Sequence, residues 1–288
     1  MKNMLHEIDR VASSFMRSVS LPFPGRGRLS QLLSLGATQE AIHSITLPGG
    51  LTFSMALQPR QFIDRCLHYS GVWEPMETRH FTALLGQGYT VLDIGANIGY
   101  YTLIASRLVG ASGRVFAFEP GKQTFARLSR NVAINNLQNT YLNDCALGDQ
   151  TCEVTFYHSP GNNSGSNSLF LLERSGSEAV RMTTLDSFIL QNEIGHIDLV
   201  KMDVEGAEVK VLRGGMGLFS RRDAPLLMTE VNPACLQAAG TSADELFSML
   251  REFGYRISEI TSTGLRKLER WKRRTHGNIL AIKAHPAL

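Results

Sequence analysis

Two rhythms alternate along the second half of this chain. Short, nearly continuous apolar runs predict buried strands at 90–94, 114–119, 139–146, 180–184, 197–203 and 225–231. Between most of them, apolar residues recur every three or four positions. These segments predict helices at 99–109, 122–134, 185–192, 207–218 and 242–253. Alternating strands and helices imply an α/β domain whose largely parallel sheet is covered on both faces. Two more strands, near 255–260 and 278–284, follow without a helix between them, which suggests an antiparallel edge strand. A polar insert, Gly161-Asn162-Asn163-Ser164-Gly165-Ser166-Asn167-Ser168, interrupts the alternation.

The first part of the chain reads differently. Leu5, Ile8, Val11, Phe15, Met16 and Val19 have helical spacing, so residues 1–20 predict an amphipathic helix. Residues 21–36, rich in Pro, Gly and Arg, read as a linker. Ile45–Pro48 and Leu51–Ala56 flank Gly49-Gly50, a hairpin signal. Helical stretches near 61–69 and 75–85 lead into the α/β pattern. The organisation expected is an N-terminal helical and hairpin extension over 1–60 and an α/β domain over 61–288.

Composition narrows the classes. At 288 residues, 43% hydrophobic and 19% charged, the chain has ordinary globular values. A net charge of +3 is too small to argue for a nucleic-acid partner. No apolar run approaches the roughly 18 residues of a membrane span, and the N-terminus lacks the apolar core of a secretory signal. Cys66, Cys145, Cys152 and Cys235 are scattered without a C-x-x-C, which argues against zinc and disulfides and fits a reducing cytoplasm.

The chemistry concentrates where strands end. Val91-Leu92-Asp93-Ile94-Gly95-Ala96-Asn97-Ile98-Gly99-Tyr100-Tyr101 reads as a strand, a glycine turn and a helix start. The spacing is G-x-x-x-G, not the G-x-G-x-x-G of dinucleotide binders. A dinucleotide needs free N–H groups for its pyrophosphate, and a nearby carboxylate would repel it. S-adenosylmethionine carries no phosphate, and Asp93 can face its ammonium directly or through water. Gly95 and Gly99 allow close backbone approach, while Asn97 can bond locally at the helix start. Glu119 ends the next strand, 24 positions after Gly95. An acid about 20 residues on accepts ribose hydroxyls in nucleoside-binding folds of this type.

A second polar cluster follows. Strand 197–203 runs into Lys201-Met202-Asp203-Val204-Glu205, and strand 225–231 ends in Glu230-Val231-Asn232-Pro233. Ligands of open α/β sheets bind beyond the carboxyl ends of strands. Asp203, Glu205, Glu230 and His158 are therefore candidate proton acceptors, and Lys201 a candidate to steady a developing alkoxide. The three acids are hard oxygen ligands, but lacking a recognised ligand spacing they read as hydrogen-bonding groups, not as a metal site. The basic run Arg266-Lys267-Leu268-Glu269-Arg270-Trp271-Lys272-Arg273-Arg274 reads as a solvated segment.

These motifs carry a resemblance. Val91–Thr102 (VLDIGANIGYYT), Val115–Pro120 (VFAFEP), Asn135-Asn136-Leu137, Ala146-Leu147-Gly148-Asp149, Thr183-Thr184-Leu185-Asp186 and Asp198–Glu208 (DLVKMDVEGAE) make the chain similar to FkbM-type methyltransferases, a class I S-adenosylmethionine-dependent family. The resemblance implies a Rossmann-like, seven-stranded sheet with its last strand antiparallel. It implies methyl transfer, most often to a hydroxyl of a small molecule, sugar or natural product. By the match, Asp93, Gly95, Ala96, Asn97, Gly99 and Glu119 would hold S-adenosylmethionine, with Asp144 or Ala146 near the adenine. A nucleic-acid methyltransferase is one alternative, although Asn232-Pro233-Ala234-Cys235 lacks the second proline and aromatic of an amine-methylating motif. A non-catalytic adenosyl-binding protein is another. A NAD dehydrogenase is disfavoured by the glycine spacing.

Overall fold

The computed structural model describes residues 40–159, 165, 167–170, 175–271 and 276–283. The expected helix at 1–20 and linker at 21–36 lie outside them.

The chain opens with a hairpin of β1 (Ala41–Thr46) and β2 (Thr52–Leu57), turned at Gly49-Gly50. Helices α1 (Phe62–Ser70) and α2 (Pro75–Leu84) follow. The centre alternates as read: β3 (Thr90–Ile94), α3 (Tyr100–Val109), β4 (Arg114–Phe118), α4 (Lys122–Ile134) and β5 (Thr140–Asn143). Next come β6 (Ala146–Gly148), β7 (Cys152–His158), β8 (Gly176–Thr184) and α5 (Leu185–Gln191). The remainder is β9 (Leu199–Met202), α6 (Glu208–Gly214), α7 (Met216–Phe219), β10 (Leu226–Val231), α8 (Pro233–Ala238), α9 (Ala243–Glu252), β11 (Tyr255–Thr261), β12 (Gly264–Lys267) and β13 (Gly277–Lys283).

The main sheet has the order β12-β11-β13-β10-β9-β3-β4-β5. From β10 to β5 its neighbours are parallel. Its two faces are built by strict alternation. Leu92, Ile94, Phe116, Phe118, Val200 and Met202 pack on one side against α5, α6, α7 and α9. Val91, Val115, Ala117, Leu199 and Met228 pack on the other against α3, α4, α1 and the hairpin. Each large apolar side chain so buried contributes about 1.5–3 kcal/mol. The hairpin is fastened by side chains as well as by packing. Its backbone groups Ser54 N–H and Ala56 N–H donate to Oδ1 of Asn135 (2.9 Å), which caps α4, and of Asn131 (2.8 Å) within it.

Several expectations are corrected. The sheet has eight strands, because β12 extends it by a hairpin with β11. The last strand is antiparallel but not at the edge: β13 inserts between β10 and β11. Ile279, Leu280 and Ala281 are buried on both faces, as a central strand requires, whereas the polar, exposed β12 suits an edge. The run expected as one strand over 139–146 divides. β5 stays in the main sheet, while β6 joins β7 and β8 in a separate three-stranded sheet. β7 was not anticipated, and helix 207–218 breaks into α6 and α7 at Gly215, where a Cβ would meet the Phe219 ring at 2.8 Å. Among the described residues, no helix is long and apolar enough to cross a membrane.

Candidate active site

The carboxyl ends of β3, β9 and β10 open onto one cleft of about 640 Å³. A narrower recess adjoins it and shares Gly95, Asn97 and Asp203 with it.

The glycine turn after β3 has its N–H groups already engaged. Gly95 N–H and Ala96 N–H both donate to Phe118 O, at 3.0 and 2.9 Å. Asn97 N–H donates to Glu119 Oε2 (3.0 Å), Ile98 N–H to Asn97 Oδ1 (2.8 Å) and Gly99 N–H to Ala96 O (2.9 Å). Such a turn has no donors to offer a pyrophosphate. Gly95, at φ +84°, is pressed against the end of β9: a Cβ there would lie 1.8 Å from Asp203 O. Gly99, at φ +92°, lies under Leu128 Cδ1, which an added Cβ would meet at 2.7 Å.

Glu119 is buried and aligned by two backbone donors, Asn97 N–H on Oε2 and Gly121 N–H on Oε1 (2.9 Å). Burial pushes its carboxyl up to about 7, the two hydrogen bonds opposing the rise. A carboxylate has about four lone-pair sites, so two remain for a diol. The recess beside it is apolar, lined by Ile94, Phe118, Cys145, Ala146, Leu147 and Phe156 among others. No described Lys or Arg lines either cavity. An apolar slot, a doubly anchored acid, a turn without free donors and no fixed cation fit a nucleoside that bears no phosphate. They do not fit a phosphorylated one.

Asp93 lies below this turn. It sits opposite Lys201 across the β3–β9 pair and accepts a 2.5 Å hydrogen bond from Thr102 Oγ1. Burial raises its carboxyl to about 6. It is not among the residues lining the cleft or the recess, and its hydrogen bond ties β3 to α3. Asp144 also departs from expectation: its side chain is exposed and paired with Arg181 (2.6 Å), while Cys145 and Ala146 face the recess. His158 lies at the far end of β7 against Glu178 (3.4 Å), outside the residues that line the cleft.

The strand-tip acids do converge. Asp203, Glu205 and Glu230 each present a carboxylate oxygen, all within 4.8 Å of one another. Glu205 takes a left-handed conformation (φ 49°), followed by Gly206 at φ 106°, where a Cβ would strike Cys235 O at 2.5 Å. This bend turns Glu205 toward Asn232 and Cys235, whose Nδ2 and Sγ lie 3.5 and 3.2 Å from Glu205 Oε2. Burial and the charges of Asp203, Glu205 and Glu208 hold the Glu230 carboxyl far above the usual range. Lys201 is only 1% exposed and reaches Asp203 Oδ2 at 3.3 Å. Burial alone would lower its ammonium. The surrounding carboxylates of Asp203, Glu74, Asp93 and Glu230 outweigh that and raise it. Lys201 is therefore paired with an acid that lines the cleft without lining it itself.

Glu74 escaped the sequence reading. It precedes Pro75 at the start of α2 in a left-handed conformation (φ 44°) and accepts from Tyr101 Oη at 2.7 Å. Burial raises its carboxyl, Lys201 opposing. Trp73, Tyr100, Tyr101 and Phe170 add an aromatic wall. The only local hint was a Glu-Pro helix start; the contacts join residues 27 positions apart and more.

Comparison with known proteins identifies a family. A family profile described as "Methyltransferase FkbM domain" matches residues 93–257. "Methyltransferase 1" of Beauveria bassiana is 32% identical over 143 residues, covering 43% of this chain and 57% of the relative. The "Hexuronic acid methyltransferase AglP" of Haloferax volcanii is 31% identical over 123 residues, covering 42% and 48%. The "31-O-demethyl-FK506 methyltransferase FkbM" of Streptomyces tacrolimicus is 28% identical over 211 residues, covering 61% and 76%. The chain spans about half the length of the first two.

Proposed function

The chain belongs to the FkbM methyltransferase family, and on that premise we propose that it transfers a methyl group from S-adenosylmethionine to a hydroxyl of a small molecule, sugar or natural product. The observation that carries this reading is the glycine turn with every N–H engaged beside a doubly anchored Glu119. When bound, S-adenosylmethionine supplies an electrophilic methyl on a sulfonium centre. Glu119 accepts the ribose hydroxyls, Gly95 and Asn97 shape the floor, and Cys145, Ala146 and Leu147 line the base slot. Asp203 and Glu205 orient the acceptor hydroxyl and take its proton, with Lys201 holding Asp203 in place. A positioned base of this kind contributes about 10²–10⁴ in rate.

The acceptor side favours a neutral, ring-bearing molecule. Glu74, Glu77, Asp203, Glu205 and Glu230 line the cleft beside Trp73, Tyr100 and Tyr101. Aromatic walls suit the apolar faces of a sugar or polyketide ring. An acid-rich cleft repels a polyanion, which weighs against nucleic acid. The relatives named for a hexuronic acid and for 31-O-demethyl-FK506 support an oxygen acceptor.

Calorimetry is the direct test. S-adenosylhomocysteine should bind and NAD should not. Glu119→Ala should weaken binding by roughly 1.5–3 kcal/mol for each charged hydrogen bond lost. Binding of NAD without any adenosyl binding would refute the reading.

A further inference from the structure

The apolar recess and the wide cleft are separate cavities. Among the described residues, only Gly95, Asn97, Gly165 and Asp203 line both. Two short strips of chain lie between them. In the segment joining β7 to β8, Asn167 and Leu169 line the recess, whereas Ser168 and Phe170 line the cleft. Alternate residues thus face opposite cavities, as they do along a strand. The chain leaving β9 divides in the same way: Val204 lines the recess, Glu205 the cleft, and Asp203 both.

One hydrogen bond joins the two strips. Ser168 is buried, and its hydroxyl is used both ways: it donates to Glu205 O (2.6 Å) and accepts from Phe170 N–H (3.1 Å). The Ser168 backbone is in turn fixed to β7. Tyr157 N–H donates to Ser168 O (2.8 Å), and Ser168 N–H donates to Tyr157 O (3.1 Å). Asn167 Oδ1 accepts from Ser159 N–H at 2.9 Å. The bond to Glu205 falls on a residue that needs holding, because its left-handed backbone (φ 49°) is unfavourable for any side chain with a Cβ. In that conformation Glu205 Oε2 lies 3.2 Å from Cys235 Sγ. The Phe170 ring is anchored as well, with Lys210 Nζ of α6 4.8 Å from its centroid.

We propose that residues 167–170 and 203–205 form the partition between cofactor and acceptor, and that Ser168 is a positioning residue that holds Glu205 on the acceptor side. Leu169 and Val204 then belong to the cofactor, Phe170 and Glu205 to the acceptor. The two ligands meet at the opening bounded by Gly95, Asn97 and Asp203. The assignment of the recess to an adenosyl group rests on the proposed methyl transfer; the hold of Ser168 on Glu205 does not.

Cys235, which lines the cleft, reports on Glu205 without any acceptor. Alkylation needs the thiolate, and burial together with the Glu205 charge pushes the Cys235 thiol up. Burial and the charge of Asp203 raise the Glu205 carboxyl to about 8. The full chain is therefore treated with iodoacetamide at about pH 9, where Glu205 is charged, and the Cys235 peptide is followed by mass spectrometry. Glu205→Gln should speed alkylation at least about threefold, and Ser168→Ala should do the same by releasing Glu205. In a Glu205→Gln background, Ser168→Ala should add almost nothing, whereas mere loosening of the segment would speed alkylation equally in both backgrounds. No effect of either single substitution, or an equal effect of Ser168→Ala in both backgrounds, overturns the positioning role. Calorimetry tests the wall separately, and keeps it testable if Ser168→Ala fails to fold. Leu169→Ala should weaken S-adenosylhomocysteine binding at least fivefold and Phe170→Ala less than twofold; equal effects, or the reverse order, overturn the partition. A parent chain that binds no S-adenosylhomocysteine would remove the methyl-transfer reading and the assignment of the recess, while the alkylation rates would still decide the role of Ser168.

Discussion

Gly95→Ala tests whether the glycine turn and the acceptor acids form one rigid unit. Two costs can be separated, because Gly254 provides a matched control. Gly95 has φ +84° and Gly254 has φ +81°, so alanine suffers the same left-handed strain at both, about 1–2 kcal/mol. Nothing lies within 4 Å of a Cβ at Gly254. At Gly95 the Cβ lands 1.8 Å from Asp203 O and 2.8 Å from Asp203 C, both backbone atoms. The turn and the end of β9 must therefore part by more than roughly 1 Å to reach even a tight contact, an overpacking that costs about 1–3 kcal/mol. That movement strains the Asp203 N–H to Ile94 O hydrogen bond, now 2.9 Å, worth about 1 kcal/mol. Gly254→Ala should cost about 1–2 kcal/mol, and Gly95→Ala about 3–6 kcal/mol. At about 2–4 °C per kcal/mol for a chain of this order of size, melting by circular dichroism separates them. S-adenosylhomocysteine affinity should fall at least tenfold in Gly95→Ala and stay unchanged in Gly254→Ala. Equal melting temperatures for the two variants, with adenosyl binding intact in both, would refute the argument that close approach at Gly95 joins the two halves of the site.

Two further outcomes follow from buried charge. Burial raises Glu119 and Glu208 to about 7 and Asp93 to about 6, so the folded chain holds protons that the unfolded chain releases. Stability from these groups is complete below the unfolded carboxyl range and is lost as pH rises through 6–7; Glu119 alone accounts for about 3 kcal/mol. With EDTA present and no ligand, the melting temperature should fall between pH 5 and pH 8, and a rise across that window would contradict it. Lys201→Met leaves Asp203 and Asp93 without their buried cation and should cost about 3–5 kcal/mol in urea unfolding; a loss under 1 kcal/mol would show that Lys201 is not their counter-charge.

What could be read from sequence is what local chemistry determines. The strand–turn–helix of Val91–Tyr101 is announced by an apolar run, two glycines and a helical period, all within a dozen residues. Glu119 is legible because it ends its own strand. The convergence of Asp203 and Glu205 is nearly so, since only Val204 separates them. The fold class follows from the alternation of periods, because a parallel strand needs a crossover and each crossover within the main sheet carries a helix.

Tertiary structure decided the rest, because side-chain orientation and strand partners depend on contacts distant in sequence. Asp93 and Asp144 look like cleft residues by position, yet one turns to Thr102 and the other to solvent and Arg181. His158 is a plausible base in sequence and lies against Glu178 in space. Glu74 enters the site from a helix start that no spacing connects to Lys201. β13 lies in the interior of the sheet because its apolar run can be buried on both faces, and β12 can close the edge in its place. Asn278 meets Glu230 only through that insertion. A period of two reveals which face a side chain takes, but not which strand stands opposite; that pairing, made here across 48 residues, sets Asn278 opposite Glu230.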